Sequence, residues 1–143
     1  MLIIDKKTKA DLLNKAQEIA KRAYAPYSRF HVGCAILLED GRVIEGVNIE
    51  NASYPVALCA ERSAMARVVT EGLQDTVKAL AVVTSATPPG SPCGMCRQFL
   101  SEFLPQDAPI LLGNTQGECR ETTMGDLLPM PFLKQALGTL KNQ

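Results

Sequence analysis

The sequence lacks the features that would commit it to a polyanion, a membrane or an oxidising compartment. It has no surplus of charge: 15 lysines and arginines are cancelled by 15 aspartates and glutamates, and neither half of the chain is strongly basic. A nucleic-acid binder needs a basic stripe to displace counterions from phosphates, so a small substrate is favoured over a polymer. No apolar window approaches the roughly 20 residues that a bilayer demands. The N-terminal Met1-Leu2-Ile3-Ile4-Asp5-Lys6-Lys7 has no apolar stretch long enough for a secretory signal. Cysteines number five, an odd count that argues against a disulfide framework. Thiols kept for a metal or for catalysis in a reducing cytosol fit better, so the chain is expected in the cytoplasm. No repeat, low-complexity run or linker interrupts it.

What is present suits one compact domain spanning residues 1–143, with 46% hydrophobic and 21% charged residues. Leu12, Leu13, Ala16, Ile19, Ala20 and Ala23 recur at helical spacing, which predicts a helix over about residues 6–24, ended by Pro26. Val32 to Leu38 and Val43 to Ile49 read as strands joined by a tight Asp40-Gly41 turn. A second helix carries Ala60, Ala64, Met65, Val68 and Val69 and closes at Gly72. Ala79 to Val83 suits a strand buried on both faces. Cys96 to Leu104 predicts a third helix stopped by Pro105. Pro109 to Leu112 and Cys119 to Thr122 follow as strands, and short helical pieces broken by Pro129 and Pro131 make the tail. Strands separated by helices imply some parallel pairing, so an α/β fold with a mixed sheet layered by helices is expected.

The chemistry concentrates in Pro92-Cys93-Gly94-Met95-Cys96. Two cysteines three apart on one helix share a face and can chelate one ion, and thiolates are favoured at a helix N-terminus. Alone, such a pair is ambiguous between a metal site, a redox dithiol and accident. Cys59-Ala60-Glu61-Arg62 shifts the balance. Residues two apart inside a helix do not share a face, so Cys59 and Glu61 reach one centre only if Cys59 sits at an irregular helix start. Three thiolates would hold zinc and leave a fourth position open for water, the mark of a catalytic site. Zinc brings the pKa of such a water near 7, and Glu61 has the chemistry to carry its proton. The plain alternative for Glu61 is an exposed acid favoured by the helix dipole. Three thiolates on one zinc leave a net negative charge that Arg62 could offset. His31, the one histidine, sits at the start of a strand far in sequence from the cysteines and is not counted as a ligand; a fourth-ligand role would close the site and make it structural. Cys34 and Cys119 read as small buried hydrophobes.

Cys59-Ala60-Glu61 with a downstream Pro-Cys-x-x-Cys resembles the zinc nucleoside deaminases, whose first ligand is histidine or cysteine. Four segments are similar, in order, to the small cytidine deaminases: 26–33 (Pro-Tyr-Ser-Arg-Phe-His-Val-Gly), 46–55 (Gly-Val-Asn-Ile-Glu-Asn-Ala-Ser-Tyr-Pro), Cys59 to Arg62, and 91–98 (Ser-Pro-Cys-Gly-Met-Cys-Arg-Gln). The resemblance runs from about the first helix to Leu128. It implies a three-layer α-β-α fold with about five strands, one Zn2+ per chain, and hydrolytic deamination of cytidine and 2′-deoxycytidine in pyrimidine salvage. It assigns Asn48 and Glu50 to the ribose hydroxyls, Phe30 to the face of the pyrimidine, the Ala60 N–H to the base carbonyl and the Ser91 carbonyl to the amino group. It also implies a homotetramer with shared sites, Tyr54 reaching into a neighbour's. Blasticidin-type deaminases share the zinc motifs, but Asn48-Ile49-Glu50-Asn51 favours a plain nucleoside. Two departures stand out: Ser53 where cysteine is common, and a Leu127-to-Phe132 stretch that follows the pattern only in part, so Phe132 receives no role. A non-enzymatic zinc module would need a fourth ligand, and a redox dithiol would leave Cys59 and Glu61 without a purpose.

Overall fold

The computed structural model describes residues 4–142; Met1 to Ile3 of the N-terminal segment and Gln143 lie outside the described residues. Helix α1 (Lys6–Ala20) starts where the Asp5 carboxylate accepts the Thr8 N–H at 2.7 Å, which satisfies one orphan donor of the first turn. Its apolar stripe buries Leu12, Ala16 and Ala20. The helix is shorter than its periodicity predicts. Tyr24 is drawn into a bridge with the end of a strand, its N–H donating to Asn48 O at 3.0 Å and its carbonyl accepting Glu50 N–H at 2.8 Å. That tertiary pairing competes with the helix and ends it before Pro26 can.

Strands β1 (Gly33–Leu38) and β2 (Val43–Val47) form an antiparallel hairpin, in register Gly33 to Val47. Gly41 takes the positive φ of 91° that the turn requires. Strand β3 (Val77–Thr84) pairs antiparallel with β1 and parallel with β4 (Pro109–Asn114), and β5 (Cys119–Thr123) closes the sheet antiparallel to β4. The spatial order is β2-β1-β3-β4-β5.

Alternate residues of the central strands face opposite layers, as strand geometry requires. Ile36, Leu38, Leu80, Val82, Ile110 and Leu112 pack against α2 (Ala60–Thr70) and α3 (Gly94–Ser101) through Ala64, Met65, Val68 and Leu100. Ala35, Leu37, Ala79, Ala81, Val83 and Leu111 lie under Leu12 and Ala16 of α1. The result is the three-layer α-β-α arrangement with a mixed five-stranded sheet.

Two glycines let helices sit directly on strands. A Cβ on Gly33 would lie 1.9 Å from Ala16 O of α1, and one on Gly46 would lie 2.3 Å from Ala64 N of α2. Only a hydrogen fits in either place. Two further expectations need correction. Helix α3 ends at Ser101, and Phe103 and Leu104 lie in a turn whose amides both donate to Leu100 O. Cys119 is exposed, because β5 is an edge strand whose residues are all exposed or half-buried. After β5 come α4 (Met124–Leu127) and a 3-10 segment, Lys134–Asn142. Among the described residues no helix is long and apolar enough to cross a membrane.

Candidate metal centre and substrate cleft

Cys59 and Cys93 hold equivalent places, each the extended N-cap residue of a helix, α2 and α3 respectively. Extended backbone at Cys59 turns its side chain out of the helical progression, so that it can share a centre with Glu61 two residues on. Cys96 stands within the first turn of α3, three residues after Cys93. The three Sγ atoms lie within 4.8 Å of one another, and Cys59 and Cys93 are 3.9 Å apart. A tetrahedral zinc with Zn–S bonds of about 2.3 Å needs sulfurs about 3.8 Å apart. The set therefore fits one zinc ion. Among the described residues no histidine or carboxylate joins it; the His31 Nδ1–H instead faces Ala20 O at 3.3 Å. A closed four-ligand structural site is thus not built here.

The protonation chemistry of the bare thiols also suits a cation. Hydrogen bonding from the Cys96 thiol, then from Arg62 and Cys93, holds Cys59 down to about 5 despite its burial. Donating to Cys59 pushes Cys96 far above the ordinary thiol range, with burial and the Glu61 charge adding to it. One negative charge forms readily and the next is resisted, which is the electrostatic profile of a seat for a positive ion. Arg62 runs behind the cluster, its Nη2–H 3.9 Å from Cys59 Sγ and 3.4 Å from Ala57 O. Its buried Nε has no hydrogen-bond partner among the described residues.

Glu61 is 4% exposed, a rare condition for a carboxylate that has no ion-pair partner among the described residues. Burial pushes it up to about 7; its own backbone N–H opposes the rise and the Cys59 thiolate adds to it. Cys34, fully buried on β1, is driven up by burial and by Glu61, so it stays a neutral thiol packed in the core.

A cleft of about 380 Å³ opens over these groups. Its lining includes Cys59, Ala60, Glu61 and Cys93 together with Asn48, Glu50, Phe30 and Ser91. Eight of the residues singled out in the sequence therefore share one cavity. Tyr54 does not line it. It is 71% exposed and borders an adjoining cavity of about 330 Å³, packed edge-on against Tyr27 at a centroid distance of 5.8 Å. Val82 and Thr84, at the carboxyl end of β3, also line the cleft and were missed in the sequence. The general placement of clefts beyond the carboxyl ends of parallel strands could have pointed to them. Arg97 was missed too. Its guanidinium donates to Pro92 O at 2.8 Å, Ser91 Oγ at 2.9 Å and Leu127 O at 2.8 Å, tying the loop before Cys93 to α4.

Comparison with known proteins agrees with this geometry. Residues 6–111 match the family described as the cytidine and deoxycytidylate deaminase zinc-binding region. A cytidine deaminase of Halalkalibacterium halodurans is 49% identical over 127 residues, covering 89% of this chain and 96% of that one. One from Sporosarcina psychrophila is 43% identical over 92% of this chain and 96% of its own. The crystal structure of a cytidine deaminase from Burkholderia pseudomallei superposes with a TM-score of 0.83 at 42% identity, over 86% of this chain and 98% of that chain. With three thiols set at two helix starts around a buried glutamate, and a match that spans most of its length, the chain belongs to the zinc-binding cytidine and deoxycytidylate deaminase family.

Proposed function

We propose that the protein hydrolyses cytidine and 2′-deoxycytidine to uridine and 2′-deoxyuridine plus ammonia, acting as one deaminase domain over residues 1–143. The observation that carries this reading is the cleft itself: a buried carboxyl and two thiols share one lining with an amide and a carboxylate able to take sugar hydroxyls. Zinc held by Cys59, Cys93 and Cys96 would supply Lewis acidity, bringing a water toward ionisation near neutral pH. Glu61 takes the proton of the attacking water and hands it to N3 of the ring; it then carries the proton of the new C4 hydroxyl to the amino group, which leaves as ammonia as the C4 carbonyl forms. Its carboxyl, raised by burial toward neutrality, is matched to giving and taking a proton. Phe30 covers the pyrimidine face, the Ala60 N–H at the uncapped start of α2 donates to the base carbonyl, and the Ser91 carbonyl accepts from the amino group.

Incubation with cytidine, following ammonia and uridine together, tests the reading. Failure of both products to appear from zinc-loaded protein would reject it.

Replacing Glu50 by alanine should lower the preference for cytidine over free cytosine by about tenfold in kcat/KM, because sugar contacts position C4 for attack. An equal loss on both compounds would remove Glu50 from the sugar site. Arg62→Gln removes the charge that offsets the thiolates, and turnover near neutral pH should fall by about 10–100-fold with metal retained. The acidic limb of the pH–rate profile should move to higher pH. A uniform loss with no such movement would indicate damaged packing at the start of α2 instead.

The exposed Tyr54, Val56 and Phe132 support a homotetramer in which Tyr54 reaches a neighbouring site. The free thiols suit the reducing cytoplasm.

A further inference from the structure

The loop between α1 and β1 holds Glu50, a residue of the cleft lining, through three hydrogen bonds. Glu50 Oε1 accepts the N–H groups of Tyr27 at 3.0 Å and Ser28 at 3.1 Å. Glu50 Oε2 accepts the Ser28 hydroxyl. That hydroxyl in turn accepts the N–H of Phe30 at 3.0 Å. A serine hydroxyl has one proton. With it committed to Glu50, only the lone pairs of Oγ remain for Phe30, so the two bonds fix one another's direction. Arg29, between them, sits at a φ of 59°, a conformation that a non-glycine residue holds only when its surroundings impose it. The carboxylate is engaged on three sides by this loop, and the hydroxyl bond is charge-assisted. Ser28 itself does not line the cleft; it borders the adjoining cavity, and Glu50 stands on the wall between the two.

We propose that Ser28 is a positioning residue for substrate recognition, its hydroxyl locking the Glu50 carboxylate toward the sugar while holding the backbone of Phe30 at the base. The proposal rests on the sugar role of Glu50 given above. Oε1 has both its lone pairs occupied by main-chain donors. Oε2 shares one with Ser28 and keeps the other for a hydroxyl of the ligand. Loss of the Ser28 hydroxyl frees the carboxylate to turn and strips the Phe30 N–H of its partner.

The test compares Ser28→Ala, Ser28→Thr, Glu50→Ala and the double variant Ser28→Ala/Glu50→Ala in zinc-loaded protein, with cytidine and 2′,3′-dideoxycytidine as substrates. Ser28→Ala should reduce the preference for cytidine over the dideoxy compound by about tenfold, through KM more than kcat, the scale of one hydrogen bond to a charged group. Ser28→Thr, which keeps the hydroxyl, should restore most of that preference. In its preference for cytidine over the dideoxy compound the double variant should be no worse than Glu50→Ala alone, since the two residues act on the sugar through one contact. A Ser28→Ala enzyme with full preference, beside an impaired Glu50→Ala enzyme, overturns the proposal and leaves the sugar role intact. Losses that add fully, or that fall equally on both substrates, overturn it as well. A Glu50→Ala enzyme with full preference overturns both readings.

Discussion

Glu61→Gln should keep the fold and the bound zinc and lower turnover by about 10²–10⁴-fold, the range that a positioned proton carrier contributes. The amide matches the carboxyl in size but cannot take a proton from water and hand it on. Metal content measured beside the rate separates this outcome from loss of the ion. Near-normal turnover in the variant would mean that Glu61 is not the proton carrier. The same substitution has a signature in metal-free protein that needs no activity at all. Burial raises the Glu61 carboxyl to about 7 from an ordinary 4.5. A carboxyl raised on folding stabilises the folded state fully below its unfolded value, and that contribution is lost as pH climbs through the folded one. The cost of the buried charge above neutrality is thus up to about 3 kcal/mol. Metal-free Glu61→Gln should therefore resist denaturant better than metal-free wild type in mildly alkaline solution, and the two should converge in acid. The difference isolates Glu61 from the opposite pH trend of Cys59. Parallel stability curves at every pH would contradict the burial described here.

Stripping the metal with a chelator should abolish turnover, and zinc should restore it. A sharper expectation concerns protons. Near neutral pH the metal-free set holds Cys59 as thiolate while Cys96 keeps its proton. A cation bound by all three sulfurs must expel that proton, because only thiolates ligate. Zinc affinity should then weaken by about tenfold or more for each pH unit of acidification, since at least one proton is released. Competition against a chelator of known proton affinity, at two pH values a unit apart, measures this. An affinity that ignores pH would mean that the thiols are not the ligands. Cys96→Ser should weaken binding more than loss of the exposed Cys119, which lies on the edge strand β5, outside the thiol cluster.

The order of elements and the thiol set were legible because each is written locally. Spacing puts Cys93 and Cys96 on one helix turn, and the loop before Cys59 marks the irregular start that lets it join Glu61. Other features depend on partners distant in sequence. Nothing local to Tyr24 says that its backbone will pair with Asn48 and Glu50, so the first helix was drawn too long. Asn48 was assigned to a sugar hydroxyl by resemblance alone, and nothing local announced that its amide donates to Phe30 O at 2.7 Å while its Oδ1 accepts Val32 N–H at 2.8 Å. Those bonds span a gap that periodicity cannot see. Cys119 failed for a topological reason: apolar patterning marks a strand but does not say whether that strand ends at an edge. The hydroxyl of Ser28 was present in a recognised segment and drew no assignment, because its partner Glu50 lies 22 residues away.

The seating of α2 on Gly46 limits how this enzyme could be remodelled. Most helices stand off a sheet by the thickness of side chains, so changing those side chains can tilt or lift them. Here the backbone of α2 at Ala64 meets the strand with no side chain between them. The helix has no interlayer to expand or compress, and its first turn delivers Cys59, Ala60 and Glu61 to the cleft. That wall is therefore fixed in depth. Any widening of the cleft for a bulkier ring must come from the lining outside α2, where Phe30 and Ser91 stand on loops that tolerate change. A library that randomises those loops should yield altered substrate scope. One that randomises the buried face of α2 should mostly yield unfolded protein.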